Sequence, residues 1–139
     1  MRAWIAEPED AAAMSKSLNA NKIIELENVG LFADGVAVKK VGKLTFEITK
    51  KYVDKIITVN NDEICAAIKD VFEETRSILE PAGALSIAGM KKDIIEEKFN
   101  DLNLVAIACG ANMNFERLRF VAERAELGEY KEAMLAVEI

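Results

Sequence analysis

The sequence predicts an α/β fold with a mainly parallel sheet and helices on its faces. Short β-branched or apolar runs alternate with longer segments of helical periodicity, which is typical of such sheets. The chain has 139 residues, of which 51% are hydrophobic, so it is long enough to form the core of one domain. Only about four strands can be recognised, near the lower end for a sheet. Because a parallel sheet needs cover on both faces, we expect part of a larger doubly wound domain.

The composition argues against several classes of function. The net charge is −6 and the chain contains no His, so neither a nucleic acid nor an anionic membrane is an expected partner. Without His, the commonest general base and zinc ligand is missing. Cys65 and Cys109 are far apart, which excludes a CxxC metal site and argues against a disulfide framework. With no apolar run of membrane-spanning length and no signal peptide, we expect a cytoplasmic protein.

The first half of the chain begins with a short apolar strand, "RAWIA". Pro8 suits the first position of a following helix, which should end near 19–21. Glycines interrupt residues 22–42, which predicts loops and short extended segments there. A helix is expected over Thr45–Tyr52, and the β-branched run "KIITV" predicts a strand.

The second half contains the clearest helix, "NNDEICAAIKDVFEETRSILE". Asn60 and Glu63 have the spacing of a capping box at its start. Pro81 begins another helix, whose first half is rich in small residues, which indicates a close neighbour. "NLVAIA" (103–108) predicts a buried strand.

The last two predicted elements follow that strand. "NFERLRFVAERAEL" predicts a helix, with Asn114 as its N-cap and Gly128 as the glycine just past its end. "EAMLAVEI" (132–139) predicts a final strand.

The turn "CGANMN" lies where a predicted strand passes into a predicted helix. In open α/β sheets, this position faces the ligand crevice. Cys109, Gly110 and Asn112 are therefore candidate ligand-binding residues. The alternatives are that Cys109 is a small buried residue at a strand end and that the turn is an ordinary connection.

Three segments together resemble threonine dehydratase of the biosynthetic type: "GLFADGVAVKKVG", "ITVNNDEICAAIKDVFEETRSILEPAGALSIAGMKK" and "VAIACGANMNFERLRFVAERAELGE". The resemblance extends from "AEPEDAAAM" to "EAMLAVEI". It implies a fold-type-II pyridoxal-phosphate enzyme, related to serine racemase. It also implies conversion of threonine to 2-oxobutanoate and ammonia, in isoleucine biosynthesis.

The same resemblance shows which parts of the family's site are not in this sequence. The family has a Schiff-base lysine in an S-F-K-x-R-G motif and a glycine-rich loop for the cofactor phosphate. No lysine here has that context, and no two glycines are adjacent. The resemblance thus implies that residues 1–132 are the C-terminal part of the cofactor domain and that 133–139 lead toward a regulatory domain. Such a chain should carry no catalytic residue and be inactive alone.

The resemblance also implies which residues meet the cofactor. Cys109 occupies the position of a serine that hydrogen-bonds the pyridine nitrogen, and a thiol is a weaker donor than a hydroxyl. Gly110 and Asn112 complete that turn. Ala33 and Gly35 belong to a segment that lines the cofactor, although Asp-Gly is also an ordinary turn dipeptide.

Two acidic positions are candidates for other roles. Glu80 lies at a helix start near the site in relatives, where it acts as an acid or base or, more simply, caps the helix. Glu7, Ala11 and Ala13 match a divalent-cation site of serine-racemase-like relatives. Because Ala13 has no carboxylate, we expect no divalent site, or at best a weak monovalent one, and assign Glu7 to stabilising a helix start.

The unpaired edges of a partial sheet indicate a partner. We expect either a homo-oligomer, most simply a dimer, or a separate chain that carries the N-terminal half. A non-catalytic binding or oligomerisation module remains the alternative to a piece of an enzyme.

Overall fold

The computed structural model describes residues 1–99, 101–133 and 135. Two short 3-10 helices, Glu9–Ala11 and Asp34–Val36, lie between the regular elements. The strands and α-helices are β1 Trp4–Pro8, α1 Ala13–Asn19, α2 Lys43–Tyr52, β2 Lys55–Val59, α3 Asn61–Thr75, α4 Pro81–Glu97 and α5 Arg117–Gly128. In this part of the chain, no helix has the length and apolar character needed to cross a membrane.

β1 and β2 form a parallel pair, in register from Trp4 opposite Lys55 to Pro8 opposite Val59. Within the described ranges these are the only two strands of the sheet. The β-branched residues of β2 suit a pleated surface, and Ile57 and Val59 are buried. The predicted α/β class with a parallel sheet is therefore confirmed.

Pro8 is the last residue of β1, so its predicted role as the first residue of a helix is wrong. Its backbone is extended, with φ −65° and ψ 141°. A proline has no N–H to donate to a ladder, which a strand end tolerates. α1 begins later, at Ala13. There the Glu7 carboxylate accepts hydrogen bonds from the backbone N–H groups of Met14 (2.9 Å) and Ser15 (2.8 Å).

The capping box that begins α3 is confirmed. The Asn60 side chain accepts from the Glu63 N–H at 2.9 Å, and the Glu63 carboxylate accepts from the Asn60 N–H at 2.8 Å. The helix ends sooner than the sequence predicts, because Arg76 takes a left-handed backbone with φ 60°. Arg76 is thus the C-cap of α3, and the residues after it connect α3 to α4.

α4 begins at Pro81 as predicted, and its small residues allow it to lie against the sheet. A Cβ added at Gly89 would lie only 2.8 Å from the Cβ of Ala6 in β1. Ala84, Leu85 and Ala88 are buried in the core with Ile57 and others. The glycines that lower helix propensity are thus explained by close packing.

α5 packs on α3, and Gly128 makes this contact possible. Gly128 is the last residue of α5 rather than the glycine past its end, which corrects the predicted cap. A Cβ at this position would overlap the carbonyl group of Asp62 in α3. Lys69 of α3 also forms ion pairs with Glu126 and with Glu129, at 2.5 and 2.8 Å.

The predicted strand at 103–108 is wrong, because the described structure has no strand there. The segment follows α4, and the Ser86 hydroxyl donates to the Ile107 carbonyl at 2.6 Å. Val105 and Ile107 are 91% and 76% exposed. A strand requires a neighbour with which to pair, and the described residues place none beside this segment.

Two further predictions concern the ends of this region. Asn114 does not cap α5, because the helix begins at Arg117 and Glu116 takes the N-cap position. The strand predicted for 132–139 lies mostly outside the described residues.

Candidate functional site

The turn that holds Cys109 and Gly110 packs against the start of α4. The Glu80 N–H donates to the Gly110 carbonyl at 3.1 Å. A Cβ on Gly83, in the first turn of α4, would overlap the carbonyl oxygen of Cys109. A side chain at position 83 would therefore push the turn away, so Gly83 sets how closely the turn approaches the helix.

Gly110 has a backbone that favours glycine. Its φ is +83°, and an added Cβ would lie 3.0 Å from Cγ of Glu80 and closer still to the carboxylate. The left-handed conformation costs other residues about 1–2 kcal/mol. Glu80 thus meets Gly110 through both its backbone and its side chain. Its side chain makes no cap hydrogen bond to α4, which does not support the predicted capping role.

Ala33 and Gly35 belong to a second segment that packs near the first turn of α4. Ala33 is buried in the core at the start of the 3-10 helix Asp34–Val36. A Cβ on Gly35 would lie 3.0 Å from the Cβ of Ala82 in α4. Two distant segments singled out from sequence therefore converge on the first turn of α4.

Arg117 and Phe120 of α5 hold the Phe32–Asp34 segment, and sequence reasoning did not single them out. Arg117 Nη1 donates to the Phe32 carbonyl at 3.3 Å and lies 3.9 Å from Asp34 Oδ1. The rings of Phe32 and Phe120 have centroids 5.3 Å apart. In the sequence, Arg117 and Phe120 look like ordinary members of an amphipathic helix, so no local signal marks them.

Cys109 and Asn112 are both exposed in the described structure. The alternative of a buried structural cysteine at position 109 is therefore wrong. The other thiol, Cys65, is fully buried, and burial raises its pKa to about 12. Only Cys109 presents a thiol at the convergence of segments around α4.

The positions that resemble a cation site serve another purpose. Both Glu7 oxygens accept backbone hydrogen bonds from α1, while Ala11 and Ala13 are buried. Burial raises the pKa of Glu7 above its ordinary value, against the opposing effect of those hydrogen bonds. The prediction that Glu7 stabilises a helix start is confirmed. Within the described ranges, no three acidic, Cys or His side chains cluster as metal ligands.

The family described as "Pyridoxal-phosphate dependent enzyme" matches residues 1–110. This chain belongs to that family. Pyridoxal phosphate is accordingly the cofactor of the intact enzymes.

Curated relatives specify the branch of the family. The chain is 57% identical over 133 residues to the biosynthetic L-threonine dehydratase IlvA of Burkholderia multivorans, covering 96% of this chain and 26% of the relative. It is 52% identical over 133 residues to the Escherichia coli enzyme of the same name, with the same coverage of both chains. The chain thus spans about a quarter of the length of these relatives. The resemblance to threonine dehydratase is confirmed.

Solved structures agree with the fold. The processed form of threonine deaminase isoform 2 from Solanum lycopersicum has a TM-score of 0.88 and 46% identity, covering 90% of this chain and 36% of that one. Maize serine racemase has a TM-score of 0.76 at 28% identity, over 88% of this chain and 38% of that one.

The residues gathered at α4 suit one part of a pyridoxal-phosphate site. Gly35 and Gly110 allow close packing on the start of α4, since Ala82 and Glu80 lie where their Cβ atoms would be. Cys109 is exposed at the edge of this packed cluster and offers a thiol donor. An exposed thiol donor in this position fits the ring nitrogen of the cofactor.

Proposed function

We propose that this chain supplies one wall of the pyridoxal-phosphate site of a threonine dehydratase, a lyase that converts L-threonine to 2-oxobutanoate and ammonia in isoleucine biosynthesis. The observation that carries the proposal is the convergence of Gly35, Glu80 and the Cys109–Gly110 turn on the first turn of α4. The identity to curated threonine dehydratases supports the choice of substrate.

Each residue of this wall has a distinct task. The Cys109 thiol would donate a hydrogen bond to the pyridine nitrogen, and Asn112 would complete the turn. Ala33 and Gly35 would line the ring, and Gly110 would hold the turn against Glu80. When bound, the cofactor supplies the electron sink for elimination, and the residues around it tune that chemistry.

Glu80 acts chiefly through Gly110. Its carboxylate packs on that glycine and its N–H holds the glycine carbonyl, so it fixes the turn that presents Cys109. A thiol donor at position 109 would hold the pyridine nitrogen and would moderate the electron sink that the cofactor supplies.

The chain by itself is proposed to be inactive. Covalent catalysis needs the lysine of the S-F-K-x-R-G motif, and the sequence contains no such motif. Residues 1–132 form the C-terminal part of the cofactor domain, and 133–139 begin the connection to a regulatory domain. We place the protein in the cytoplasm.

The alternative is a non-catalytic module that binds a separate N-terminal half or a second copy of itself. The apolar segment that contains Leu102, Val105 and Ile107 favours such a partner, because all three side chains are exposed. A two-stranded sheet also leaves backbone groups available for further pairing. Light scattering after size exclusion separates the dimer from the complementing pair.

Complementation tests the proposal directly. The chain is mixed with a polypeptide that carries the preceding part of the Burkholderia multivorans enzyme, and 2-oxobutanoate is measured with threonine and pyridoxal phosphate. We expect turnover only when both chains are present.

Two substitutions test the role of Cys109 in that mixture. Cys109→Ser should keep turnover within a few-fold, because a hydroxyl is also a neutral donor. Cys109→Ala should lower turnover by up to about tenfold, the value of one neutral hydrogen bond. Equal turnover of all three proteins would remove Cys109 from the site.

A further inference from the structure

Helix α2 carries an apolar stripe on the side that faces solvent. Leu44, Ile48 and Tyr52 are 73%, 49% and 62% exposed. Because they are spaced four residues apart, they lie along one side of the helix. Phe46 and Thr49, which are buried, form the inward side. A surface helix ordinarily has one apolar stripe, directed at the core, so the second stripe of α2 indicates a contact with a partner.

A row of charged residues runs alongside this α2 stripe. Lys43, Glu47 and Lys51 are exposed and are also spaced four residues apart, and Lys50 adds a further positive charge. Among the described residues, Lys43, Lys50 and Lys51 form no ion pair. Lys51 Nζ lies 4.9 Å from the ring centroid of Tyr52, which places this charge beside the stripe.

The charge around α2 is opposite to that of the whole chain. Residues 39–55 contain six lysines and two acidic residues, in a chain with a net charge of −6. Lys43 is the first residue of α2, where the helix dipole favours a negative charge, yet the first turn contains no acidic residue. A carboxylate from outside the chain would be favoured both by Lys43 and by the helix start. The surface therefore suits a negatively charged partner.

We propose that the α2 stripe and the lysines beside it dock an acidic amphipathic helix of another polypeptide. The apolar side chains of that helix pack on Leu44, Ile48 and Tyr52, and its flanking carboxylates pair with Lys43 and Lys51. The proposal is independent of the cofactor site, because α2 contributes no residue to the cluster at the first turn of α4.

Two other occupants fit the charges less well. If α2 paired with α2 of a second copy, three lysines and one glutamate of each helix would meet, and the like charges would repel. An anionic membrane would attract these lysines but repel the rest of the chain, which is strongly acidic.

Two synthetic peptides test the charge preference. Each has about 14 residues, roughly four helical turns, with leucines along one face of an alanine-rich helix. One peptide has glutamates beside the leucines and the other has lysines. Each is labelled with fluorescein and titrated with the 139-residue chain while anisotropy is measured. We expect saturable binding of the glutamate peptide, at least about tenfold tighter than that of the lysine peptide. Equal affinities, or no saturable binding of the glutamate peptide, would overturn the proposal.

Variants of the chain assign the binding to α2. Leu44→Ser and Ile48→Ser should each weaken binding of the glutamate peptide by roughly tenfold, because apolar contact is lost. Lys51→Glu should weaken it by about two- to tenfold. The matched controls are Ile95→Ser on α4 and Arg119→Glu on α5, both of which change exposed side chains and should have no effect. Equal losses in the α2 variants and these controls would contradict the assignment to α2 and overturn the proposal.

Circular dichroism establishes that each variant folds, and Leu44→Ser decides if Ile48→Ser does not fold. Light scattering without peptide and sedimentation with phosphatidylserine vesicles test the other occupants. A dimer that dissociates in Leu44→Ser would assign the α2 stripe to a second copy of the chain. Vesicle binding that is lost in Leu44→Ser would assign it to a membrane. Either result would overturn the proposal.

Discussion

At the scale of single residues, the site depends on a few positions where the backbone must come close to something else. Gly83 and Gly110 are the two halves of one contact, because the first admits the Cys109 carbonyl and the second admits the Glu80 side chain. The positive φ of Gly110 adds a conformational requirement to the steric one.

Gly110→Ala should lower the free energy of unfolding by about 1–2 kcal/mol, because a residue with a Cβ is strained at this φ. The Glu80 amide should also exchange its proton faster, since it donates to the Gly110 carbonyl. Gly42→Ala, at φ −69°, is the matched control and should cost less than about 1 kcal/mol. Urea denaturation and amide exchange measure both; equal losses in the two variants would show that the turn is not held as described.

The CGANMN turn could be singled out from its place before a predicted helix, whereas Ala33, Gly35 and Glu80 could be found only through the family resemblance. An Asp-Gly pair and a CGAN turn are common patterns, and nothing local says that positions 35 and 110 meet the same helix. The residues that support them, such as Arg117, carry no signal at all, because their role depends on packing between elements distant in sequence.

At the scale of elements, local signals predicted the structure wherever the determinants were themselves local. The capping box of α3 and the proline at the start of α4 depend on residues a few positions apart. The strand expected at 103–108 requires a distant partner, which local pattern does not provide. Pro8 likewise became a strand end because β2 pairs with β1, a contact about fifty residues away in sequence.

The Glu7 carboxylate gives α1 a pH dependence. Burial holds its pKa above the ordinary value of 4.5, so the folded chain binds this proton more tightly than the unfolded chain. The contribution of this group to stability is present below pH 4.5 and is lost as pH rises through the raised pKa. Glu7→Gln should remove that part of the pH dependence.

Urea denaturation across this pH range measures the effect. Glu27→Gln, which changes an exposed residue, is the control and should keep the pH dependence of the unaltered chain. A Glu7→Gln profile parallel to that of the unaltered chain would show that Glu7 does not titrate differently in the folded state.

At the scale of the whole molecule, the chain belongs to the pyridoxal-phosphate enzyme family and spans about a quarter of the length of its curated relatives. Its core packs one face of the two-stranded sheet, which carries Ala6, Ile57 and Val59, against residues of α3, α4 and α5. The exposed apolar segment around Val105 is the surface where a further element is expected to add. The residues gathered at the first turn of α4 and this exposed surface together support the proposal that the chain supplies one wall of a cofactor site.

The most direct test mixes the purified chain with pyridoxal phosphate, reduces it with borohydride and measures the intact mass. Without the lysine of the S-F-K-x-R-G motif, we expect no saturable visible band and only scattered labelling of surface lysines. Adding the complementary polypeptide should produce one adduct per pair, on that polypeptide. A stoichiometric adduct on a single lysine of this chain alone, with a new visible band, would contradict the proposal that it holds only one wall of the site.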